Sequence, residues 1–542
     1  MKHVISWAVC LLAAITCSQT PVTPVPDGSE VNPPEEPAVF PKAMVVSASV
    51  DGIRVPLSGS VAGVGLKPEI ALEFTREVKA DEASLSFVSF TGGDLTVRRS
   101  ETDVTVLLFS PKEALQAFRQ YRFTLAEGEC FGVTVKKAHT VLFSTGGDDS
   151  TDKFPRIPDE ELLDLVQSQT FKYFWDYAHP VSGLARERLG SGDTVTSGGS
   201  GFGIMCLPVA VERGFVSREE AAARLRTILG FLSGAQTFHG AFPHWLNGST
   251  GKVIPFGEND NGGDLVETAF LMEGLLTAAQ YFDREEEADI RSAVQALWEA
   301  VEWDWYTRGK DVLYWHWSPD KGWVMNMPIV GWNECLIVYV LAASSPTHPV
   351  SADVYHKGWT SNGSMKLSQD GPLFFAHYSF LGLDPRHLAD DYGQYWEQNV
   401  AHARYNYDYC VRNPRAHAGY SARCWGLTAS DYPGGYIASA PSNDTGTVAP
   451  TAALASFPYT PEESLDALHY FYYGLGDKLW DKYGFCDAFC LDQAWFASSY
   501  IAIDQGPIVV MIENYRTGLL WDLFMRNPQV LAGLEKLGFT WK

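Results

Sequence analysis

The feature that most constrains the fold is a change of pattern near residue 150. Between residues 42 and 146, short runs rich in β-branched and aromatic residues alternate in polarity and are separated by Gly, Asp and Pro. From about residue 155 onward, apolar residues recur at helical spacing, as they do over 160–177. Sixteen of the seventeen tryptophans also lie at or after Trp175. The sequence therefore predicts a small β domain followed by a large helical domain that holds any aromatic-lined site.

The two predicted domains differ in architecture. About seven short strands in roughly 100 residues indicate an immunoglobulin-like (Ig-like) β-sandwich over 42–146, and the segment resembles bacterial Ig-like domains. A polar linker follows over 147–154. Over 155–542, predicted helices alternate with long loops rich in Gly, Trp and His, which favours an α/α toroid. A helical solenoid is the competing architecture, although its repeats should be shorter and more alike.

The N-terminus carries an export signal. A basic start and an apolar run over 4–15 precede Thr16 and Cys17, which is typical of a lipoprotein-type signal peptide over 1–17. Because Thr16 stands where a lipobox usually has a smaller residue, an ordinary cleaved signal is the alternative. Seven prolines over 18–41 predict an extended tether. We expect an exported, lipid-anchored protein in the periplasm or outer membrane of a Gram-negative bacterium.

The amino-acid composition limits the kinds of molecule that this protein is expected to bind. Lys and Arg total 41 against 65 Asp and Glu, so the formal net charge is −24. With no compensating basic stripe, this charge argues against nucleic acid as a partner, and we expect membrane contact only through a lipid on Cys17. No nucleotide-binding fingerprint suggests a cofactor. His239 and His244 lack a metal-type helix motif and an evident third ligand, so we expect no metal site.

An acidic cluster precedes and enters one predicted helix. Asp260, Asp264 and Glu267 follow one another at spacings of four and three residues. If Asp264 opens the helix, it and Glu267 lie on one face, and Asp260 can point back from the preceding loop. The alternative is structural, since Asp264 as N-cap with Glu267 three residues later matches a capping box.

A second carboxyl group, Glu334, follows Trp332 at another predicted helix start. It either complements the helix dipole or carries a raised pKa in an aromatic, water-poor setting. Cleavage of a glycosidic bond needs such a proton donor together with a second carboxylate. The two acidic segments together therefore indicate glycoside hydrolysis.

The loops also carry flat rings and polar tips of the kind that bind pyranose rings. Each tryptophan among them could instead be a core residue. The candidate substrate-binding residues are His239, His244, Trp245, Trp315, Trp317, Trp332, His377, Trp425 and Asp431.

Several motifs resemble glycoside hydrolase family 144, the glucoamylase-like family. They are SGGSGFG at 197–203, DNGGDLVET at 260–268, WNE at 332–334, WGLTASD at 425–431 and IDQGPIVVMIENY at 503–515. The resemblance covers essentially all of 155–542 and implies an (α/α)6 toroid that hydrolyses β-1,2-glucan or its oligosaccharides with inversion.

The same resemblance assigns roles to the acidic residues. Asp260, Asp264 and Glu267 match the family's acidic triad, and Glu334 matches the carboxylate placed as general acid. The resemblance leaves the general base open, with Asp260 and Asp264 as candidates.

Members of this family act in exo mode, releasing sophorose, or in endo mode. The tethered setting favours trimming of imported oligosaccharides, hence exo action, with an endo-β-1,2-glucanase as the alternative. A non-catalytic glycan-binding lipoprotein would bind oligosaccharides without forming product. A lyase acting on acidic glycans would need basic residues facing its substrate, and the charge of −24 disfavours it.

Overall fold

A computed structural model describes residues 40–56, 59–147, 151–360 and 367–542. The predicted signal peptide at 1–17 lies outside the described residues, as does nearly all of the tether. Among the helices of the described ranges, none has both the length and the apolar character needed to cross a membrane.

Residues 42–145 form β structure, as predicted. The strands are β1 Lys42–Ala43, β2 Val45–Val50, β3 Ile53–Arg54, β4 Val61–Val64, β5 Ile70–Phe74, β6 Val88–Phe90, β7 Leu95–Arg99, β8 Val106–Pro111, β9 Gln120–Leu125, β10 Gly128–Cys130, β11 Val133–Val135 and β12 His139–Thr145. One sheet has the order β3-β2-β5-β8-β7, a second has β4-β12-β9-β6, and a small third has β1-β11-β10. Phe109 of the first sheet meets Phe123 of the second with ring centroids 5.0 Å apart, and both are fully buried. The core of this region therefore lies between the two larger sheets.

Residues 83–87 alternate in polarity, which predicts a strand, but they lie in a 3-10 helix, Glu82–Phe87. The side chain of Asp81 caps this helix by accepting a hydrogen bond from the N–H of Ala83. A capping aspartate outweighs the strand pattern in so short a segment because it satisfies a free N–H group at once.

The rest of the described chain is mainly helical. The helices are α1 Asp159–Trp175, α2 Ser197–Glu212, α3 Arg218–Leu232, α4 Leu265–Tyr281, α5 Ala288–Glu299, α6 Leu336–Ser344, α7 Ala352–Val354, α8 Tyr395–Arg412, α9 Pro450–Leu454, α10 Pro461–His469, α11 Gly476–Leu479, α12 Ala502–Arg516, α13 Leu519–Phe524 and α14 Pro528–Lys536. Short hairpins connect several of them: β13 Thr194–Thr196, β14 Trp245–Asn247, β15 Val253–Ile254, β16 Gly263–Asp264, β17 His316–Trp317, β18 Ala429–Tyr432, β19 Gly435–Ala438, β20 Trp480–Asp481, β21 Gly484–Phe485, β22 Phe489–Cys490 and β23 Trp495–Phe496.

Helices α2 and α4 pack unusually close together. The glycine-rich segment 197–203 looks like a loop in sequence, yet it forms the first turns of α2. A Cβ atom on Gly201 would lie 2.2 Å from the carbonyl oxygen of Phe270, and one on Gly274 would lie 2.1 Å from that of Gly201. The glycines are therefore there to let two buried backbones meet. This contact fixes the start of α2 beside the start of α4.

The β region contacts the helical region at the hairpin of β22 and β23. The side-chain amide of Gln120 donates to the carbonyl of Gln493 at 2.9 Å, and the hydroxyl of Ser144 donates to the carbonyl of Asp492 at 3.1 Å. Phe118 meets Phe496 edge-on at 5.7 Å. These contacts hold the turn between β22 and β23. The spacing of apolar residues over 491–503 predicts a helix, but Ala494 adopts a left-handed conformation, with φ 47°, that closes the hairpin instead.

Candidate active site

Asp264 begins helix α4 as its N-cap. Its Oδ1 accepts hydrogen bonds from the N–H groups of Val266 at 3.0 Å and Glu267 at 2.9 Å, which stabilises the helix start by about 1 kcal/mol. Its Oδ2 lies 3.2 Å from the indole nitrogen of Trp315, which donates to it. The N-cap role of Asp264 is thus confirmed, but the capping box does not form, because the side chain of Glu267 binds another segment instead of the N–H of Asp264. The second oxygen of Asp264 is also occupied.

Glu267 turns away from its own helix towards α2. Its Oε2 accepts the N–H of Gly198 at 2.7 Å, in the first turn of α2, where the helix dipole favours an anion. A Cβ on Gly198 would lie 2.6 Å from that same oxygen, so glycine is required for this approach. Burial raises the pKa of Glu267, while the charges of His244 and Asp264 act on it in opposite directions.

His244 lies between these two carboxylates. Its Nδ1 is 3.4 Å from Oδ2 of Asp264, and its Nε2 is 3.8 Å from Oε1 of Glu267. Burial alone would lower the pKa of His244, but the two carboxylates outweigh burial and raise it to about 9. Phe256, itself half exposed, stacks on the imidazole ring at 4.1 Å. At neutral pH the ring is therefore a cation that balances the carboxylates.

Asp260 completes what we call the histidine-side cluster: His244, Asp260, Asp264 and Glu267. Its Oδ1 lies 3.1 Å from Nε2 of His316, and pairing of β16 with β17 sets Asp264 opposite that histidine. Ligand atoms of His244, Asp260 and Asp264 all lie within 4.8 Å of one another, so the three could hold a metal ion. A bound metal would have to displace the proton that the raised pKa of His244 retains.

Glu334 lies just before α6, and charges of the histidine-side cluster act on its carboxyl group. Its side chain is half-buried. Burial raises the pKa of Glu334 to about 7, and the charges of Asp264 and Glu267 add to that effect. Its backbone carbonyl accepts a hydrogen bond from the hydroxyl of Ser379, which fixes the chain at this point. Glu334 is therefore a carboxyl group that retains a proton close to neutral pH, as a general acid requires.

A second group, the aspartate-side cluster, consists of Asp431, Asp487 and Asp504. Arg188 donates to both oxygens of Asp431 at 3.0 and 3.2 Å. Oδ2 of Asp487 accepts the N–H of Asp431 at 2.7 Å. Burial raises the pKa of Asp487 to about 7 and raises that of Asp504 well above its usual range. Asp487 adds to the shift of Asp504, whereas the hydrogen bond with Asp504 lowers the pKa of Asp487. Asp487 and Asp504 therefore share a proton at neutral pH, whereas Asp431 is paired with a cation.

Tyr378 connects the two clusters. Its hydroxyl lies 3.5 Å from Oδ1 of Asp504. Burial raises the pKa of Tyr378, and the charges of Asp504, Glu334 and Glu267 contribute to the same shift. Both clusters and Glu334 therefore lie close enough for their charges to act on the same hydroxyl group.

The predicted sugar-binding residues occupy several different places in the structure. His244 and Trp315 contact the carboxylates, Trp245 packs edge-on against Phe256 at 4.8 Å, and Asp431 belongs to the aspartate-side cluster. Trp332 is nearly buried, and its indole nitrogen lies 3.4 Å from His402. His239 and Trp317 lie together beside Trp305.

His377 and Trp425 do not fit the substrate-binding role predicted for them. Both are buried, with 2% and 0% exposure. His377 lies 3.0 Å from the hydroxyl of Ser456, and burial lowers its pKa to about 3. The indole nitrogen of Trp425 donates to the carbonyl of Glu463. Neither ring has a free face on which a sugar could stack, and both act as satisfied core residues.

Sequence reasoning missed Asp487, Asp504, Arg188 and Phe256. Asp504 lies within the motif at 503–515 that carried the family resemblance, so its signal was present but not assigned to a site. Phe256 is a single aromatic residue in a polar loop, which is a weak signal in sequence. Asp487 and Arg188 join the site only through long-range contacts that a local pattern does not reveal.

Comparison with known proteins places this chain in a family. Residues 326–528 match the family model Glycoamylase, described as "Putative glucoamylase". A curated relative from Parabacteroides distasonis, an exo beta-1,2-glucooligosaccharide sophorohydrolase (non-reducing end), is 47% identical over 419 residues. That alignment covers 70% of this chain and 58% of the relative, so the chain spans less than two thirds of the relative's length.

Two solved structures extend the comparison. An endo-beta-1,2-glucanase from Chitinophaga pinensis is 50% identical with a TM-score of 0.69, covering 71% of this chain and 99% of that one. A beta-1,2-glucanase from Parabacteroides distasonis is 38% identical with a TM-score of 0.69, covering 93% of this chain and 74% of that one. Because this chain covers more than two thirds of both structures at 50% and 38% identity, it belongs to the glucoamylase-like family, glycoside hydrolase family 144.

Proposed function

We propose that this protein is an inverting glycoside hydrolase that cleaves β-1,2-glucooligosaccharides and releases sophorose in exo mode. The observation that carries the proposal is the carboxyl group of Glu334, whose pKa is raised to about 7 by burial and by the neighbouring charges of Asp264 and Glu267. Glycosidic hydrolysis needs one protonated and one ionised carboxyl group in the same site. The names of the relatives from Parabacteroides distasonis and Chitinophaga pinensis support the linkage.

In this proposal the helical region, over 155–542, is an (α/α)6 toroid with the site at one rim. The preceding β region is an Ig-like sandwich over 42–146. Export and lipid attachment at Cys17 would place the enzyme where imported oligosaccharides arrive. These assignments rest on the sequence motifs and on the order of the elements along the chain.

Glu334 acts as the general acid and gives its proton to the departing glycosidic oxygen. As that bond breaks, a water molecule attacks the anomeric carbon from the opposite face, and a carboxylate takes the proton from that water. Asp260 is the better candidate for this base. Both oxygens of Asp264 are already occupied by the helix N-cap, Trp315 and His244, whereas the side chain of Asp260 is 14% exposed.

Glu267 and His244 prepare this site without touching the scissile bond. The imidazolium of His244 lies between two carboxylates that would otherwise repel each other. Their remaining charge raises the pKa of Glu334 and so keeps its proton available. Phe256, stacked on His244 and half exposed, offers an apolar face to the sugar ring.

The test is a time course of products from linear β-1,2-glucan and its short oligosaccharides. We expect sophorose alone from the earliest time points. A ladder of longer products would favour the endo mode found in the relative from Chitinophaga pinensis. Absence of any product from a folded protein would contradict the proposed function.

A further inference from the structure

An aromatic series leads away from the histidine-side cluster. The indole of Trp315 donates to Asp264, and Trp317 follows in β17, which pairs with the strand that carries Asp264. The ring of Trp317 meets His239 edge-on at 5.0 Å and Trp305 edge-on at 6.2 Å. The rings thus extend the site outward from its carboxylates.

Trp305 is the outermost ring of this series and is held in place. It stacks on His239 with ring centroids 3.8 Å apart and an interplanar angle of 15°. His239 is itself fixed by Glu302, whose Oε2 lies 2.8 Å from Nδ1 of the imidazole. Trp305 nevertheless remains 40% exposed. A large aromatic ring that is held rigid yet exposed has little conformational entropy to lose when a ligand stacks on it.

The exposed side of Trp305 opens into a surface cavity of about 630 Å³. Trp323 forms another wall, and Arg308 lies over its ring at 5.1 Å. The remaining polar lining consists of Glu302, Asp304 and His348. Small-molecule sites fall in the range of about 300–1,000 Å³ and combine flat apolar walls with a few polar groups, as this cavity does.

We propose that this cavity, the Trp305 platform, is a distal subsite that binds a glucose unit of the same glucan chain that is cleaved beside Glu334. The proposal rests on the proposed function. The continuity of Trp315, Trp317 and Trp305 with the carboxylates identifies the occupant as the remainder of the substrate. The apolar C–H face of a pyranose stacks on the Trp305 ring, and its hydroxyls bond to Arg308 and the acidic groups.

The first experiment compares substrates of different length. For Trp305→Ala, we expect kcat/KM on long linear β-1,2-glucan to fall about three- to tenfold, mainly through KM, since a single aromatic contact contributes about this much. With the shortest oligosaccharide that the enzyme cleaves, kcat/KM should stay within twofold of wild type, because such a chain ends before the platform. Trp305→Phe should restore most of the loss, and Tyr515→Ala, at another exposed aromatic residue, serves as the matched control.

The second experiment reads binding without turnover. In the Glu334→Gln background, migration in gels containing linear β-1,2-glucan should be retarded, and adding Trp305→Ala should relieve part of the retardation. If Trp305→Ala unfolds the protein, Trp305→Leu keeps an apolar cover over His239 but removes the flat ring, and it should show the same loss.

The outcomes separate the two proposals. Wild-type activity on β-1,2-glucan, together with a Trp305→Ala variant whose kcat/KM is unchanged on both lengths or reduced equally on both, overturns the platform and leaves the proposed function standing. A wild-type protein with no activity on β-1,2-glucan overturns the proposed function. In that case, binding alone tests the platform. If several glucans retard Glu334→Gln and the double variant Glu334→Gln/Trp305→Ala equally, the platform is overturned as well.

Discussion

The two carboxylate clusters show how acidic side chains within one site are compensated in two different ways. On the histidine side, the imidazolium of His244 lies between Asp264 and Glu267 and balances their charge. On the aspartate side, the guanidinium of Arg188 pairs with Asp431, leaving Asp487 and Asp504 to share a proton. Whether a buried carboxyl group is an acid or a base here depends on where the nearest cation lies.

Glu334 follows the same rule. It lies near the carboxylates of one cluster, and no cation is among the groups that shift its pKa. Burial and the charges of Asp264 and Glu267 both raise its pKa. The site thus combines carboxylates balanced by His244 with a proton donor of raised pKa, and the predictions below test that division.

The largest effect should come from Glu334→Gln. The amide resembles the protonated acid in shape but cannot transfer a proton, so kcat should fall by about 10²–10⁴-fold while the melting temperature changes little. Steady-state kinetics and a thermal melt measure both quantities. Glu258→Gln, at a highly exposed carboxylate in the loop that carries Asp260, is the control and should keep full activity. Near-normal turnover of Glu334→Gln would exclude it as the acid.

The next effect is on the pH profile. Because the folded-state pKa of Glu334 is raised from its ordinary value to about 7, the donor loses its proton as the pH rises through 7. We expect kcat/KM to fall about tenfold per unit above that point. His244, with a pKa of about 9, stays charged over the same interval. An alkaline limb that begins near pH 9 would instead assign the titration to His244.

A smaller loss should follow from Gly198→Ala. The added Cβ would lie 2.6 Å from Oε2 of Glu267, so that carboxylate must move away from the start of α2. We expect about a tenfold loss of kcat and a decrease of about 1–3 kcal/mol in the free energy of unfolding. The matched control is Gly230→Ala in α3, where the Cβ meets no atom within 4 Å and helix propensity predicts slight stabilisation. Equal behaviour of the two variants would contradict the role given to Gly198.

The smallest effect concerns the shared proton of the aspartate side. When folding raises the pKa of a carboxyl group, the protein loses stability as the pH rises from the unfolded-state pKa of that group to its folded-state pKa. Burial raises the pKa of Asp487 to about 7 and raises that of Asp504 as well, so the wild type should lose stability as the pH rises from about 4 towards 7. Asp504→Asn should flatten that decline because its amide does not ionise. Chemical denaturation across this range measures the slope. An unchanged slope would show that Asp504 is not the titrating group.

Much of this organisation is visible in the sequence. The change of pattern near residue 150 predicted the β region and the helical region, and the spacing of Asp264 and Glu267 predicted the start of α4. These features depend on local periodicity and on capping, which act within a few residues.

Other features could not be predicted because they depend on long-range packing. Helix α2 was missed because its glycines, read locally, indicate a loop, and only the close contact with α4 explains them. His377 and Trp425 look like sugar ligands in sequence because burial has no local signal. The proton shared by Asp487 and Asp504 requires two distant segments to meet.

The most direct test of the central claim is the configuration of the first product. If Glu334 protonates the leaving oxygen while a carboxylate activates water on the opposite face, β-linked substrate must give the α-anomer first. Proton NMR during the first minutes of hydrolysis, before mutarotation, separates the two anomers. We predict a signal from α-sophorose that precedes the β-anomer. Initial formation of the β-anomer would contradict the account, because it would require a covalent intermediate and a different division of roles between the carboxylates.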